Sequence, residues 1–204
     1  MRVVLRLVRH EAVLLSDVVR WVSRRGPRTV GPGDLVVPYA GAQAALLYGL
    51  AFAAVVETFV LALIVPWPIV HAIVLVLDLW GIYFVLGVQF SCTVRPHVVA
   101  ADGSLRVRYG AFLEVVVPAA VIGAVRVERR YSRARIGRVD AEGVTELPAG
   151  GETTVTVTLT APVPFTRPLG RRGHARTLRF YAPDPAAVVA ALRAHTPVGE
   201  RPSR

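Results

Sequence analysis

The 204-residue sequence has no lysine, one cysteine and one methionine. Its 24 basic residues are all arginine, and Ala, Val, Gly, Pro and Arg dominate. That is the bias of high-GC codons, so the missing lysine carries no functional meaning. A single cysteine, Cys92, excludes an internal disulfide and a cysteine-held metal; it is read as an inert packed thiol. The five histidines, at positions 10, 71, 97, 174 and 195, lack metal-ligand spacing. There is no G-x-S-x-G elbow, no P-loop and no dinucleotide fingerprint. No catalytic residue, metal or cofactor is therefore assigned, and the chain is expected not to be an enzyme. A secretory h-region is missing too, because "MRVVLRLVRHEAVLLSDVVRWVSRR" breaks its apolar stretch with an arginine every few residues.

What the chain has is apolar residues in one block. Hydrophobic residues make up 53% of it, mean hydropathy is +0.49, and the excess lies between about Ala44 and Phe90. This predicts an integral membrane protein. Ala44 to Val65 and Ile69 to Phe90 are each 22 residues long, roughly 33 Å of helix and enough to cross a bilayer core. Between them stands only "PWP". Pro66 cannot continue the first helix, Pro68 suits the first turn of the second, and Trp67 suits the lipid–water boundary. Residues 43–92 are thus read as a tight transmembrane hairpin. Arg20, Arg24, Arg25, Arg28 and Arg95 flank it while the turn is uncharged, so both termini are expected in the cytoplasm, at the plasma membrane.

Residues 1–28 read as an amphipathic membrane-surface helix. Arg2, Arg6, Arg9, Ser16, Asp17, Arg20 and Arg24 share one arc, and Val4, Leu5, Val8, Leu15, Val19 and Val22 occupy the rest. Packing on the protein's own domain explains the pattern equally well. Gly26-Pro27 is expected to end the helix. Residues 29–42 are a Gly/Pro-rich linker with a short strand at Leu35 to Val37.

After Cys92 the period becomes two. Leu105, Val107 and Tyr109 alternate with Ser104, Arg106 and Arg108; Val125 and Val127 alternate with Arg126 and Glu128; Val155, Val157 and Leu159 alternate with threonines. This predicts a half-buried antiparallel sheet. Asp184 and Pro185 then start a helix with an apolar stripe of Val188, Val189 and Leu192, ending by Pro197. Residues 198–204 read as a disordered tail.

In "VRPHVVAADGSLRVRYGAFLEVVVPAAVIGAVRVERR", Leu105, Arg108, Gly110, Pro118, Ile122 and Val125 fall in a pattern of strand, turn and second strand. That pattern, with "TLRFYAPDPAAVVAALRAH" as last strand and closing helix, resembles the bacterial PH-like domains of small integral membrane proteins. A two-helix hairpin ahead of the domain is part of the likeness. The resemblance implies a membrane α+β protein: a transmembrane helical hairpin, then an antiparallel PH-like β-barrel or sandwich over residues 93–197, closed by the C-terminal helix. It implies about seven strands and no defined activity. The insert from Arg129 to Glu152 departs from it.

Two sets of residues are candidate sites. Glu57 and Asp78 lie ten residues before and eleven after Trp67, at similar depth in the bilayer, where a charge costs about 2.5–3.5 kcal/mol. His71, Asp78 and Gln89 share one face of the second helix, and Gln43 and Glu57 one face of the first. These faces are expected to meet, within the hairpin or across an oligomer, as polar glue or a docking face. The other set is Arg129, Arg130, Arg133, Arg135 and Arg138, five arginines in ten residues, which suit anionic lipid head groups or a solvated loop. "RPLGRRGHAR", from Arg167 to Arg176, is a weaker copy. The expected partners are the bilayer and another membrane protein or a second copy; nucleic acid ranks last. The expected function is a membrane-held interaction module that scaffolds or recruits an envelope protein. An anionic-lipid sensor and a small subunit of a proton-linked transporter or channel are the alternatives.

Overall fold

The computed structural model describes residues 2–167 and 170–195, with side chains from His10 onward. The expectations for Pro197, for residues 198–204, and for the side chains of Arg2, Val4, Leu5, Arg6, Val8 and Arg9 fall outside the described residues.

Helix α1 spans Arg2–Val22. It stops before Gly26-Pro27, because Arg24 adopts φ 52° and the Arg25 N–H bonds back to Arg20 O at 3.1 Å. Together with the Arg24 N–H to Trp21 O bond at 3.0 Å, this is a Schellman cap with arginine in the left-handed position. Strand β1 (Leu35–Val37) lies inside the predicted linker. Helices α2 (Gly41–Ile64) and α3 (Pro68–Val94) form the hairpin, with Pro68 in the first turn of α3. Both are long and apolar enough to cross a membrane, and almost none of their most apolar stretches is buried in the protein.

Seven further strands follow: β2 (His97–Val99), β3 (Leu105–Tyr109), β4 (Leu113–Val117), β5 (Ile122–Tyr131), β6 (Val144–Leu147), β7 (Glu152–Thr166) and β8 (Arg172–Phe180). The chain ends its described part in α4 (Pro185–His195), capped by the Ala187 N–H bond to the Asp184 carboxylate at 3.0 Å. The strands form two four-stranded sheets, in the orders β1-β2-β3-β4 and β5-β7-β8-β6. The first is antiparallel throughout.

One expectation is corrected here, and of the two forms the resemblance implied, one is not seen. The sheet is not wholly antiparallel: β6, from the long insert, pairs parallel with β8, Val144 opposite Thr177 and Leu147 opposite Phe180. Nor do the sheets close into a barrel among the described residues. They stack as two layers.

Period two sets the core. Leu105, Val107, Val115 and Val117 from the first sheet face Val155, Val157, Leu178 and Phe180 from the second, all fully buried. Val188, Val189 and Leu192 of α4 close the cluster. Each such side chain contributes roughly 1.5–3 kcal/mol of transfer free energy.

Candidate functional site: the hairpin face and its junction with the sheets

The hairpin puts part of its predicted polar face inside and part outside. Thr58, Leu61, Ala62, Val65, His71, Val74, Leu75 and Asp78 line a cleft between α2 and α3 with room for about one water molecule. Asp78 keeps a buried carboxylate oxygen there with no hydrogen-bond partner. Thr58, which sequence reasoning overlooked, donates to Ala54 O at 2.9 Å, so its hydroxyl serves its own helix. Glu57 does not line the cleft. It is exposed on the outer side of α2, where no cationic side chain meets it among the described residues.

Gln43 and Gln89 lie elsewhere, at the end of the hairpin next to the sheets, and both are buried. The Gln89 amide donates to Ala40 O at 3.1 Å, and the Gln43 carbonyl oxygen accepts from the Tyr109 hydroxyl at 3.4 Å. Gln43 ties α2 to β3 and Gln89 ties α3 to the start of α2; neither is brought together with Glu57 or Asp78.

That junction joins Tyr39 and Gly150, which the sequence did not mark, to His97, Tyr109 and Gly110. Tyr39 stacks on His97 at 4.2 Å, and its hydroxyl accepts the Gly110 N–H at 2.7 Å. Burial pushes the Tyr39 hydroxyl well above its ordinary pKa, and burial likewise carries Tyr109 to about 12. Gly110 has φ 49°, and a Cβ there would meet the Ser91 hydroxyl at 3.0 Å. Gly150, with φ 61°, brings the β6–β7 turn so close to α2 that a Cβ would lie 2.5 Å from Ala42 O. Both positions require glycine.

Asp17 is the second fastening. It is fully buried and accepts two bonds from Arg95 (2.6 and 3.1 Å), one from Arg28 (3.0 Å) and one from Ser91 (2.7 Å). Leu14, also buried, packs on Gly87, and Trp21 stacks on Phe90 at 4.0 Å. So α1 docks on α3 through Leu14 and Asp17, the latter from its polar arc, and turns Leu15, Val19 and Val22 outward. The arrangement reverses the usual amphipathic rule: an acid faces the protein, and the apolar arc is left for something else to cover.

Arg108, expected on a solvated face, is buried. It pairs with Glu114 at 2.7 Å and bonds Thr29 and the Arg28 carbonyl. His97 beside it is neutral, its pKa pushed down to about 3 by burial first and the Arg108 charge second.

The arginine segment divides in two. Arg130 pairs with Glu128 at 2.5 Å and Arg129 with Glu152 at 3.3 Å. Arg130, Thr156 and Arg126 together hold Glu128 down near a pKa of about 2. Arg133, Arg135 and Arg138 are exposed and have no carboxylate partner among the described residues.

No known protein family, curated protein or solved structure matches the chain.

Proposed function

We propose that this is an integral membrane protein of the plasma membrane that uses its hairpin to recognise a second membrane protein and holds a PH-like two-sheet domain at the cytoplasmic face. The domain serves as a non-enzymatic interaction module. The PH-like reading is supported by two stacked sheets finished by a C-terminal helix that packs across their open end. Cytoplasmic termini are supported by the arginines flanking an uncharged turn.

One observation carries the proposal. Glu57 stands exposed on an apolar helix, without a cation to meet it among the described residues. Residues 44–90 contain no arginine or lysine, and their one histidine, His71, lines the cleft that Glu57 does not reach, so the hairpin offers Glu57 no cationic partner of its own. A lipid-facing acid is costly unless it finds a partner. A second copy offers Glu57, Thr58 and Asp78 at the same distance from the turn and no cation, so the partner that would neutralise Glu57 is a membrane helix bearing a basic side chain. Two helices with a one-water cleft do not enclose an ion path, which is why recognition is preferred to transport.

The test is purification of full-length protein from its own membranes, beside Glu57→Leu and a Glu57→Gln/Asp78→Asn double variant. A membrane protein with a basic residue in its span should accompany the wild type and be lost from Glu57→Leu. Identical partners for all three forms would move recognition to the sheet domain. Self-associated rings without a partner would refute the scheme.

A further inference from the structure

The arginine segment is fixed at both ends to the part of the domain that adjoins the hairpin. At one end the Ser132 N–H bonds Gly151 O at 2.9 Å. Gly151 follows Gly150, which is seated on Ala42 in the first turn of α2. Ala149 is buried in the same junction with Tyr39, Ala40 and Cys92. At the other end Gly137, at φ 70°, packs on Leu113, where a Cβ would meet Leu113 Cδ2 at 2.9 Å. Leu113 follows Phe112, whose ring lies 6.1 Å from Phe84 on α3 and 5.8 Å from His10 on α1. The segment therefore begins beside α2 and ends beside a loop that touches the apolar length of α3.

We propose that Arg133, Arg135 and Arg138 form a contact site for anionic phospholipid head groups at the cytoplasmic surface of the bilayer, with Tyr131 at its edge. Three observations select lipid over other anions. The segment is tied to membrane-length helices at both ends, so a bilayer around the hairpin brings head groups to it. Among the described residues the three guanidinium groups have no carboxylate to compete, unlike Arg129 and Arg130. Tyr131 is 88% exposed, and an amphipathic ring at head-group level is favoured there. Arginine also offers planar, two-pronged donation to phosphate oxygens. The inference rests on the hairpin crossing a bilayer, and is independent of whether Glu57 has a partner.

Full-length protein is reconstituted into phosphatidylcholine vesicles, and its preference for spin-labelled phosphatidylglycerol over spin-labelled phosphatidylcholine is measured at low and high salt. The variants are Arg133→Gln/Arg135→Gln/Arg138→Gln, Arg171→Gln/Arg172→Gln/Arg176→Gln with the same charge change, and Arg129→Gln/Arg130→Gln. An arginine near an anionic surface is worth about fivefold in binding. The first variant should lower the phosphatidylglycerol preference at least tenfold, and salt should weaken the wild-type preference. The Arg129/Arg130 variant should stay within about twofold of wild type, since those charges are already met by carboxylates, and so should the Arg171/Arg172/Arg176 variant, since Arg172 pairs with Thr166 at the end of β7 opposite the Glu152 end that adjoins α2. Equal losses in the first two variants would reduce the effect to net charge and overturn the site. So would an unchanged preference in the first, or a first variant that loses binding to a single-stranded oligonucleotide while keeping its lipid preference. Wild-type protein that fails to float with the vesicles would overturn the membrane reading and this site together; flotation with no lipid preference would overturn the site alone.

Discussion

Acid should loosen the sheet domain well before its carboxylates titrate, and His97 is the reason. The ring is 1% exposed, stacked on Tyr39 and edge-on to Phe180 at 5.2 Å. Its Nδ1 accepts the Arg108 N–H at 3.0 Å, so the neutral ring carries its proton on Nε2. Protonating Nδ1 would set two donors against each other and bury a second cation beside Arg108. The folded pKa is about 3 against an ordinary 6.5. Because the folded value is the lower, the unfolded chain takes up the proton first. Stability is complete above about pH 6.5 and falls as pH drops toward 3. At 1.36 kcal/mol per pH unit, the loss from pH 7.5 to pH 5 is about 2 kcal/mol. Glu128 does not confuse this window. Its stabilisation is present above its ordinary 4.5 and is lost only as pH falls toward about 2. The assay is urea unfolding of detergent-solubilised full-length protein, followed by near-ultraviolet circular dichroism of its packed tyrosines. His97→Asn keeps an acceptor near Nδ1 and removes the titration. It should be less stable at pH 7.5 and show a slope flatter by about 2 kcal/mol down to pH 5. Equal slopes in wild type and variant would refute the assignment.

Two further outcomes follow from the junction. Asp17→Asn should destabilise the docking of α1 by about 2–3 kcal/mol; that lies below the usual cost of breaking a buried pair because Arg28 and Arg95 are partly solvated. Limited proteolysis after Arg24 or Arg25 should then become fast, and an unchanged digestion rate would argue against the cluster as a fastening. Gly150→Ala should cost more than the roughly 1–2 kcal/mol that the left-handed region costs a residue with a Cβ, since that Cβ would also collide with backbone at 2.5 Å. Hydrogen exchange should quicken in the β6–β7 turn and the first turn of α2, and unaltered exchange in both would contradict the close approach.

Which parts were legible follows from how each is stabilised. The hairpin was, because every residue of a bilayer-crossing helix answers to one solvent, and a long apolar run records it. Its ends were less so. α3 runs on to Val94 through Ser91, Cys92 and Thr93, held by protein contacts and not by lipid. Strands β3 to β5 and β7 were legible from period two. β6 was not: "VTEL" is four residues inside an irregular insert, and its parallel partner lies thirty-three residues on, Thr145 opposite Leu178. The distance of Glu57 and Asp78 from the turn could be counted along the chain, but which way each faces depends on how α2 and α3 are rotated against each other. That rotation is fixed by packing in the hairpin and by Gln43 and Gln89 at its end. The reversed face of α1 was unreadable for a similar reason. Asp17 looks solvated until Arg28 and Arg95, eleven and seventy-eight residues away, arrive beside it.

The junction also decides how the domain can move. A stretch such as "RTVGPGDLVVPYAG" has the composition of a flexible tether, yet it contains β1, registered on β2 from Leu35–Val99 to Val37–His97. It also contains Tyr39, locked to Gly110. The other exit from the hairpin is equally short: Arg95 is bound to Asp17, and β2 begins at His97. With Gly150 on Ala42 and Phe112 near Phe84, the sheets are fastened to both helices on several sides. A rotation of α2 that turned Glu57 toward a partner would therefore have to carry Gly150, and with it the arginine segment that begins at Ser132. On the proposed reading, recognition by the hairpin and the orientation of the arginine segment would be mechanically one event, where a free linker would have separated them.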